Sequence, residues 1–511
     1  MSGVRSRTKR RGRDARRDAR ISREPRFMPE TDRGIPYVDL LTPEQVDRIH
    51  RETMTLLWAK GVEFRDDEAV RAWRDAGAEV QGHRVRIDEP LLMNLLATAP
   101  ESYTMHARNP ERSVTLGGRK QILTPAYGAP NVLDLDGVRR APTIADFNDF
   151  AKLSHMSPGM QMSGGVLCEP LDVPVPKRHL HMVYGLIRHS DKPFMGMVTA
   201  RERAEDSVGM AEIVFGKDFV HDNAVMTSIA NCNSPLVWDQ TMLDAIKVYA
   251  AANQAVLFTP FVLSGASTPA STIGSLVQIS AEALAGIAFS QIIRPGAPGV
   301  FGQWIGAVSM KSGAPMAGTP EIDHINLLVG QMARHYKLPW RCSGACSSSK
   351  ILDAQAGYES ARNLFGAALA GANFILSTAG YLEGALCQSF AKFAVDAEQA
   401  EMTHRFLKGI DFSELDDALA TIREVEPGAH FLGTKHTLEH FEAAFIIPEL
   451  MHHDSYEQWE AEGRLDANDR AVRKARSMLA EYELPDLDPA IDEELRDFIA
   501  RRELEIGDAI M

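Results

Sequence analysis

A set of aromatic, amide and carboxylate side chains falls at or just past the ends of short apolar runs: Tyr127, Asn131, Glu169, Asn231, Asn233, Ser264, Gln303, Trp304, Cys346, Tyr381 and Glu383. None is a histidine, and few carry charge. Tyr127, Trp304 and Tyr381 gathered in one pocket would attract a quaternary ammonium, a cation met by ring faces that has no N–H to donate. Glu169 and Glu383 stand nearly alone in the uncharged stretches 164–169 and 379–384. A carboxylate so placed must face a cation, a hydrogen-bond donor or water. Asn231 or Gln303 would orient the far end of such a ligand, and Arg341 or Lys350 would meet a carboxylate on it. The plainer alternatives are rim aromatics that only pack and loop carboxylates that pair with a nearby arginine.

These side chains need a frame. The runs 122–127, 160–166, 193–198, 225–230, 256–261, 300–304, 339–344 and 373–378 each precede a helix-like stretch. Their recurrence is near the roughly 30 residues per unit of a (β/α)8 barrel, which predicts an α/β fold built on a parallel TIM barrel. In such a barrel the chemistry sits at the C-terminal strand ends, where the side chains above fall. Helices are expected over 144–155, 177–189, 201–215, 236–252, 272–293, 320–336, 353–369 and 390–407. Thr143 with Asp146, and Thr319 ahead of Pro320, predict capped starts for two of them. The uncharged stretch 248–281 is broken by Thr259, Pro260, Ser264, Gly265 and Pro269, so it predicts a strand, a polar loop and a buried helix rather than a membrane span.

The barrel is expected over 119–409. Before it, residues 35–118 predict an α+β cap that plugs one barrel end, starting with a helix at 42–59 whose Thr42-Pro43-Glu44-Gln45 start carries a capping box. After it, charged helical patterns predict a C-terminal helical extension, 410–511, packed across the barrel or into a homo-oligomer. Residues 1–34 form a basic tail: the first 33 residues hold twelve Arg or Lys against five Asp or Glu, in a chain of net charge −14. The tail lacks an apolar h-region and so is no secretory signal; disorder is the plain expectation, with docking to an acidic partner or nonspecific polyanion binding as the alternatives. No specific nucleic-acid binding is expected. Five cysteines in 511 residues argue for a reducing compartment, the cytoplasm being the simplest.

Cys168, Cys232, Cys342 and Cys346 lie near run ends, but zinc needs three or four convergent ligands. Only Cys342 and Cys346 are close, separated by three residues with no histidine beside them, so buried thiols and no metal are expected. His430, His436, His440, His452 and His453 crowd the extension. His436 and His440 are one helical turn apart, a spacing that permits a shared metal, yet their intervening residues do not form H-E-x-x-H. Structural histidines over the barrel mouth or at an interface are expected. No P-loop, no G-x-S-x-G elbow and no strand-linked G-x-G-x-x-G occurs, which leaves nucleotide hydrolysis and Rossmann redox chemistry without support. None of the runs offers the lysine or histidine of a barrel aldolase.

The stretch Cys342-Ser-Gly-Ala-Cys346-Ser-Ser-Ser-Lys350-Ile-Leu-Asp353-Ala-Gln-Ala-Gly-Tyr-Glu359 resembles the barrel segment of the trimethylamine methyltransferase family, the corrinoid-dependent methylamine methyltransferases. So do Phe431-Leu-Gly-Thr-Lys-His436-Thr-Leu-Glu-His440-Phe, Pro448-Glu-Leu and Ser455-Tyr-Glu-Gln-Trp459. With the region around 41–45, the similarity covers about residues 35–465. In members that use trimethylamine, a pyrrolysine stands just ahead of a Ser-x-Ser-Lys segment; that position falls here on Cys346, or on Ala345 with a slip of one. The chain has no pyrrolysine, and members without it demethylate quaternary amines such as glycine betaine.

The resemblance implies that a methyl group passes to Co(I) of a cobalamin held by a separate corrinoid protein, with no cofactor bound tightly by this chain. A quaternary nitrogen is already a cationic leaving group, so the enzyme would supply positioning and electrostatics. On this reading Trp304, Tyr127 and Tyr381 cage the ammonium, and Glu383 or Glu169 balances its charge. Cys346 takes the place of the amine-capturing residue, Asn231 or Gln303 orients the far end, and Arg341 or Lys350 anchors a carboxylate. A zinc-thiolate methyltransferase using Cys342 and Cys346 is the nearest rival, and a non-catalytic binder of quaternary amines the other.

Overall fold

The computed structural model describes residues 27–309 and 311–507. Seven parallel strands carry the apolar runs: β1 (Lys120–Leu123), β2 (Phe194–Met195), β3 (Met226–Ala230), β4 (Ala255–Phe258), β5 (Gly299–Gly302), β6 (Trp340–Ser343) and β7 (Phe374–Leu376). They pair in the order β2-β3-β4-β5-β6-β7-β1. The remaining run, 160–166, is not a regular strand but closes the ring between β1 and β2. Gln161 N donates to Leu123 O (3.0 Å), Ser163 N to Pro193 O (2.8 Å) and Met195 N to Gly164 O (2.8 Å). The adjacent glycines 164 and 165 account for the irregularity, since glycine weakens a strand interior.

Between the strands run α1 (Ile144–Met156), α2 (Arg178–His189), α3 (Arg201–Phe215), α4 (Gln240–Ala251), α5 (Thr272–Ile293), α6 (Pro320–His335), α7 (Ala354–Ala370) and α8 (Phe390–Leu407). Each lies within a few residues of its expected span. Thr143 caps α1 in a box with Asp146, as its sequence requires. Thr319 makes no cap bond, however, and α6 starts on Pro320 alone.

Strand alternation sorts the core. Ile122, Met195, Ile229, Leu257, Val300 and Phe374 fill the barrel interior, each contributing roughly 1.5–3 kcal/mol by leaving water. Their neighbours Leu123, Phe194, Phe258, Phe301, Trp340, Cys342 and Ile375 pack under the helices. Arg341, between Trp340 and Cys342, therefore faces inward.

The cap does plug one barrel end, but only through its last two strands. The end of the barrel below the strands is plugged by the hairpin Ser102–Met105 and Val114–Gly117, whose Met105, Val114 and Leu116 join the interior cluster. The helices Pro43–Ala59, Asp67–Asp75 and Glu89–Leu96 pack instead along the flank of α5. The reason is α5 itself, which is apolar on nearly every face and must be covered on its outer side; Phe64 meets its Phe289 with ring centroids 5.6 Å apart. By length and composition α5 would pass for a membrane span, but most of it is buried between barrel and cap.

Residues 27–34, assigned to the tail by charge, belong to the folded body: Thr31–Asp32 pairs antiparallel with β1, and buried Arg33 donates to Pro36 O (2.6 Å) and Leu369 O (2.9 Å). The expectation of disorder for residues 1–26 lies outside the described residues. In the extension, Ala467–Ala480 packs on α8 and Pro489–Ile506 on α3. The helices Leu415–Glu424 and Lys435–Ala444 bury no side chain among the described residues. They follow the C-terminal end of α8, where Arg405 donates to Ala443 O (3.5 Å), on the side of the barrel away from the strand ends, so their histidines do not cover the mouth.

Candidate active site

Arg341 is 2% exposed. Its Nη1 donates to Gln303 O (2.6 Å), the one hydrogen bond its side chain makes among the described residues, and its Nε has no partner. No carboxylate among the described residues pairs with it. A guanidinium is a fork of N–H donors, and a desolvated one with a single neutral partner is costly. Burial lowers its pKa to about 10, which leaves it charged at neutral pH.

Two thiols and two tyrosines lie close enough to feel that charge: Cys342, Cys346, Tyr381 and Tyr127. Tyr381 Oη accepts from Tyr127 N (3.0 Å), tying the loop after β1 to the loop after β7. Burial raises both phenols, so both stay neutral. Tyr127 also fixes the neighbouring residue choice: a Cβ on Gly165 would come within 2.7 Å of its ring.

Cys346 sits in the turn after β6. Its Sγ is 3.0 Å from Ser343 Oγ, its carbonyl accepts from Asn363 Nδ2 (2.8 Å), and burial raises its thiol pKa. The serines that follow are clamped from α7: Glu359 accepts from Ser347 Oγ (2.8 Å) and Ser348 N (2.7 Å), and Asp353 from Ser349 Oγ (2.8 Å). Beneath the turn, fully buried Lys392 donates to Ala345 O (3.0 Å) and pairs with Asp396, which accepts from Gly380 N (2.8 Å). One ion pair thus holds the Cys346 and Tyr381 loops together. Sequence reading missed this pair; its signal was an i, i+4 Lys–Asp set inside an otherwise apolar helix start.

Trp304 stacks flat on Phe261, with ring centroids 4.2 Å apart and planes 5° from parallel. The strands that carry them, Phe261–Ser264 and Trp304–Val308, form with Pro315–Met316 a small sheet at the mouth. Trp304, Met316, Ser343, Cys346 and Gly384 line a narrow cleft. Phe261 was not among the expected site residues.

Other expected residues are placed differently. The Gln303 side chain turns to α6 and donates to Asn326 Oδ1 (2.6 Å), so only its carbonyl meets the site. Glu383 is held by Arg139 in a two-point pair (2.8 and 3.0 Å), and Glu169 by Arg178 (2.8 Å). Neither carboxylate is left to balance a bound ammonium, because an arginine takes each one, Arg139 from 244 positions away and Arg178 from across a turn. Lys350 is exposed and donates to Ser348 O (2.7 Å), which removes it as the anchor. Asn231 is half-buried at the end of β3, with no hydrogen-bond partner among the described residues. Cys342 points to the helices, with a thiol pushed up to about 12. The clusters of potential metal ligands among the described residues include no cysteine, so the zinc-thiolate reading has no site.

A family profile described as trimethylamine methyltransferase (MTTB) matches residues 7–507. The chain belongs to this family. Among curated family relatives, a glycine betaine methyltransferase of Desulfitobacterium hafniense is 42% identical, covering 93% of this chain and 99% of that one. A proline betaine:corrinoid methyltransferase of Eubacterium limosum is 28% identical over 88% of this chain and 95% of its own. An L-carnitine:corrinoid methyltransferase of the same organism is 26% identical over 87% and 93%. The solved monomethylamine methyltransferase of Methanosarcina barkeri superposes with a TM-score of 0.51 at 9% identity, covering 88% of this chain and 90% of that one, a likeness of fold alone.

Proposed function

We propose that the chain transfers a methyl group from a quaternary amine that bears a carboxylate, of the glycine betaine kind, to the Co(I) corrinoid of a separate protein. The observation that carries the substrate class is Arg341, a buried cation without a counter-ion at a strand end, beside two neutral phenols. Glycine betaine, proline betaine and carnitine each join a quaternary ammonium to a carboxylate, and these are the substrates in the names of the family relatives.

The carboxylate seats on the free N–H groups of Arg341, which also neutralises the buried charge. The ammonium lies against the rings of Tyr127, Tyr381 and Trp304. Methyl transfer breaks one N–CH3 bond and forms one Co–CH3 bond, the electron pair of the broken bond stays on nitrogen, and a tertiary amine that keeps its carboxylate leaves. No proton moves, so a site of neutral phenols and a protonated thiol is sufficient. The partner's Co(I) is the nucleophile; this chain binds, orients and keeps water out. The same reading has the enzyme working in the cytoplasm as a homo-oligomer. Cys168, Cys232, Cys342, Cys346 and Cys387 are all free and buried, and Ile410 (94% exposed), Phe412 (79%) and Leu432 (77%) are apolar side chains that a second copy would cover.

The test is methyl transfer to Co(I)-cobalamin, free and on the corrinoid protein, from glycine betaine, proline betaine, carnitine, choline and trimethylamine. Methylcobalamin is expected from a betaine and not from choline or trimethylamine. Equal turnover of choline, or none from any donor with the corrinoid protein present, would overturn the proposal.

A further inference from the structure

The extension holds a cluster that methyl transfer does not use. Asp417 on Leu415–Glu424 stands opposite His436 and His440 on Lys435–Ala444, at the barrel end away from the mouth. We propose that these three side chains bind a divalent transition-metal ion, zinc by chemical fit, which staples the two helices together. Sequence reading expected structural histidines and no metal here; the geometry points the other way.

The distances carry the argument. Asp417 Oδ2 lies 3.4 Å from His436 Nε2 and 3.5 Å from His440 Nε2. A charge-assisted hydrogen bond would draw one imidazole to about 2.7–2.9 Å, so the carboxylate is bonded to neither ring. Ligand atoms at zinc bond lengths around a tetrahedral centre stand about 3.3–3.4 Å apart, close to the spacing from Asp417 to each ring. The two rings share one helix face, with centroids 4.5 Å apart, and all three ligand atoms fall within 4.8 Å of one another.

The helices also need what a metal supplies. Neither buries a side chain among the described residues, so no apolar core joins them. Small substructures without a core are held by a disulfide, a metal or a partner, and the free cysteines all lie elsewhere. Three protein ligands leave one coordination position, which water fills; far from the strand ends, the site is structural.

The experiment uses the full chain, stripped with a chelator and dialysed, then titrated with zinc against a chromogenic competitor and with cobalt by visible absorption. The variants are H436Q/H440Q and, as a control, H452Q in the neighbouring cluster of His452, Asp454 and Glu462. Wild type and H452Q are expected to bind one zinc in the submicromolar range, and H436Q/H440Q roughly a hundredfold more weakly, without the cobalt bands. Zinc is expected to slow tryptic cleavage after Arg423 and Lys435 roughly tenfold in wild type only. Equal binding by H436Q/H440Q and wild type, loss of binding in H452Q alone, or no binding by wild type would overturn the proposal.

Discussion

Two buried cations sit at opposite ends of one barrel and are treated in opposite ways. Lys192, just ahead of β2, donates to Ser154 O (2.7 Å), Ser157 O (2.9 Å) and Met160 O (2.7 Å), one carbonyl for each N–H of the ammonium. Arg341, at the end where chemistry is expected, has one carbonyl and an unpartnered Nε. Both pKa values are pulled down by burial. The difference teaches how to separate a staple from a binding group: desolvation costs both, but only Lys192 is compensated within the chain. Lys192 fixes the turn between α1 and the irregular 160–166 stave. On the proposed function, Arg341 would be compensated by the substrate carboxylate.

The comparison breaks or sharpens under substitution. Lys192→Met strands three buried carbonyls and is expected to lower the unfolding free energy by about 3–5 kcal/mol, read from urea melts. Arg341→Met is expected to leave the melt unchanged or raise it, while kcat/KM for a betaine falls roughly a hundredfold to a thousandfold. If both variants unfold alike, the distinction is lost. Trp304→Ala removes a ring from the ammonium and is expected to raise KM about tenfold, a cation–π contribution of roughly 1–2 kcal/mol. Glu383→Gln and Glu169→Gln are expected to change turnover by no more than a few-fold, because Arg139 and Arg178 already hold those carboxylates.

A pH series gives the comparison a sign. Above about 10 the folded chain loses the Arg341 proton while the unfolded chain keeps it up to the ordinary 12.5. The free protein is therefore expected to gain stability across that window from this group, whereas betaine affinity falls over the same range. Isothermal binding and melts at matched pH read the two trends.

The barrel was legible because its runs and helix starts follow local rules: α1 through α8 come from capping, periodicity and spacing, and only the Gly-rich 160–166 stave departs from strand. What the sequence hid was pairing over distance. Glu383 stands alone in its stretch but meets Arg139, 244 positions away, and Glu169 meets Arg178 across a turn. Gln303 faces outward because alternation past Val300 and Phe301 puts it there, a parity argument the sequence already allowed. The cap was assigned as a whole to a barrel end, which holds for its hairpin, whereas its helices cover the flank that the all-apolar α5 leaves open. Of the expected anchors, Arg341 and Lys350 were equal candidates by residue type; burial alone separates them.

The most direct test of Arg341 as a carboxylate anchor is a titration of wild type and R341M with glycine betaine and with choline, which shares the ammonium and lacks the carboxylate. Wild type is expected to prefer betaine by roughly a hundredfold, with the preference collapsing toward unity in R341M through loss of betaine affinity alone. An R341M protein that folds and still prefers betaine to the same degree would contradict the account.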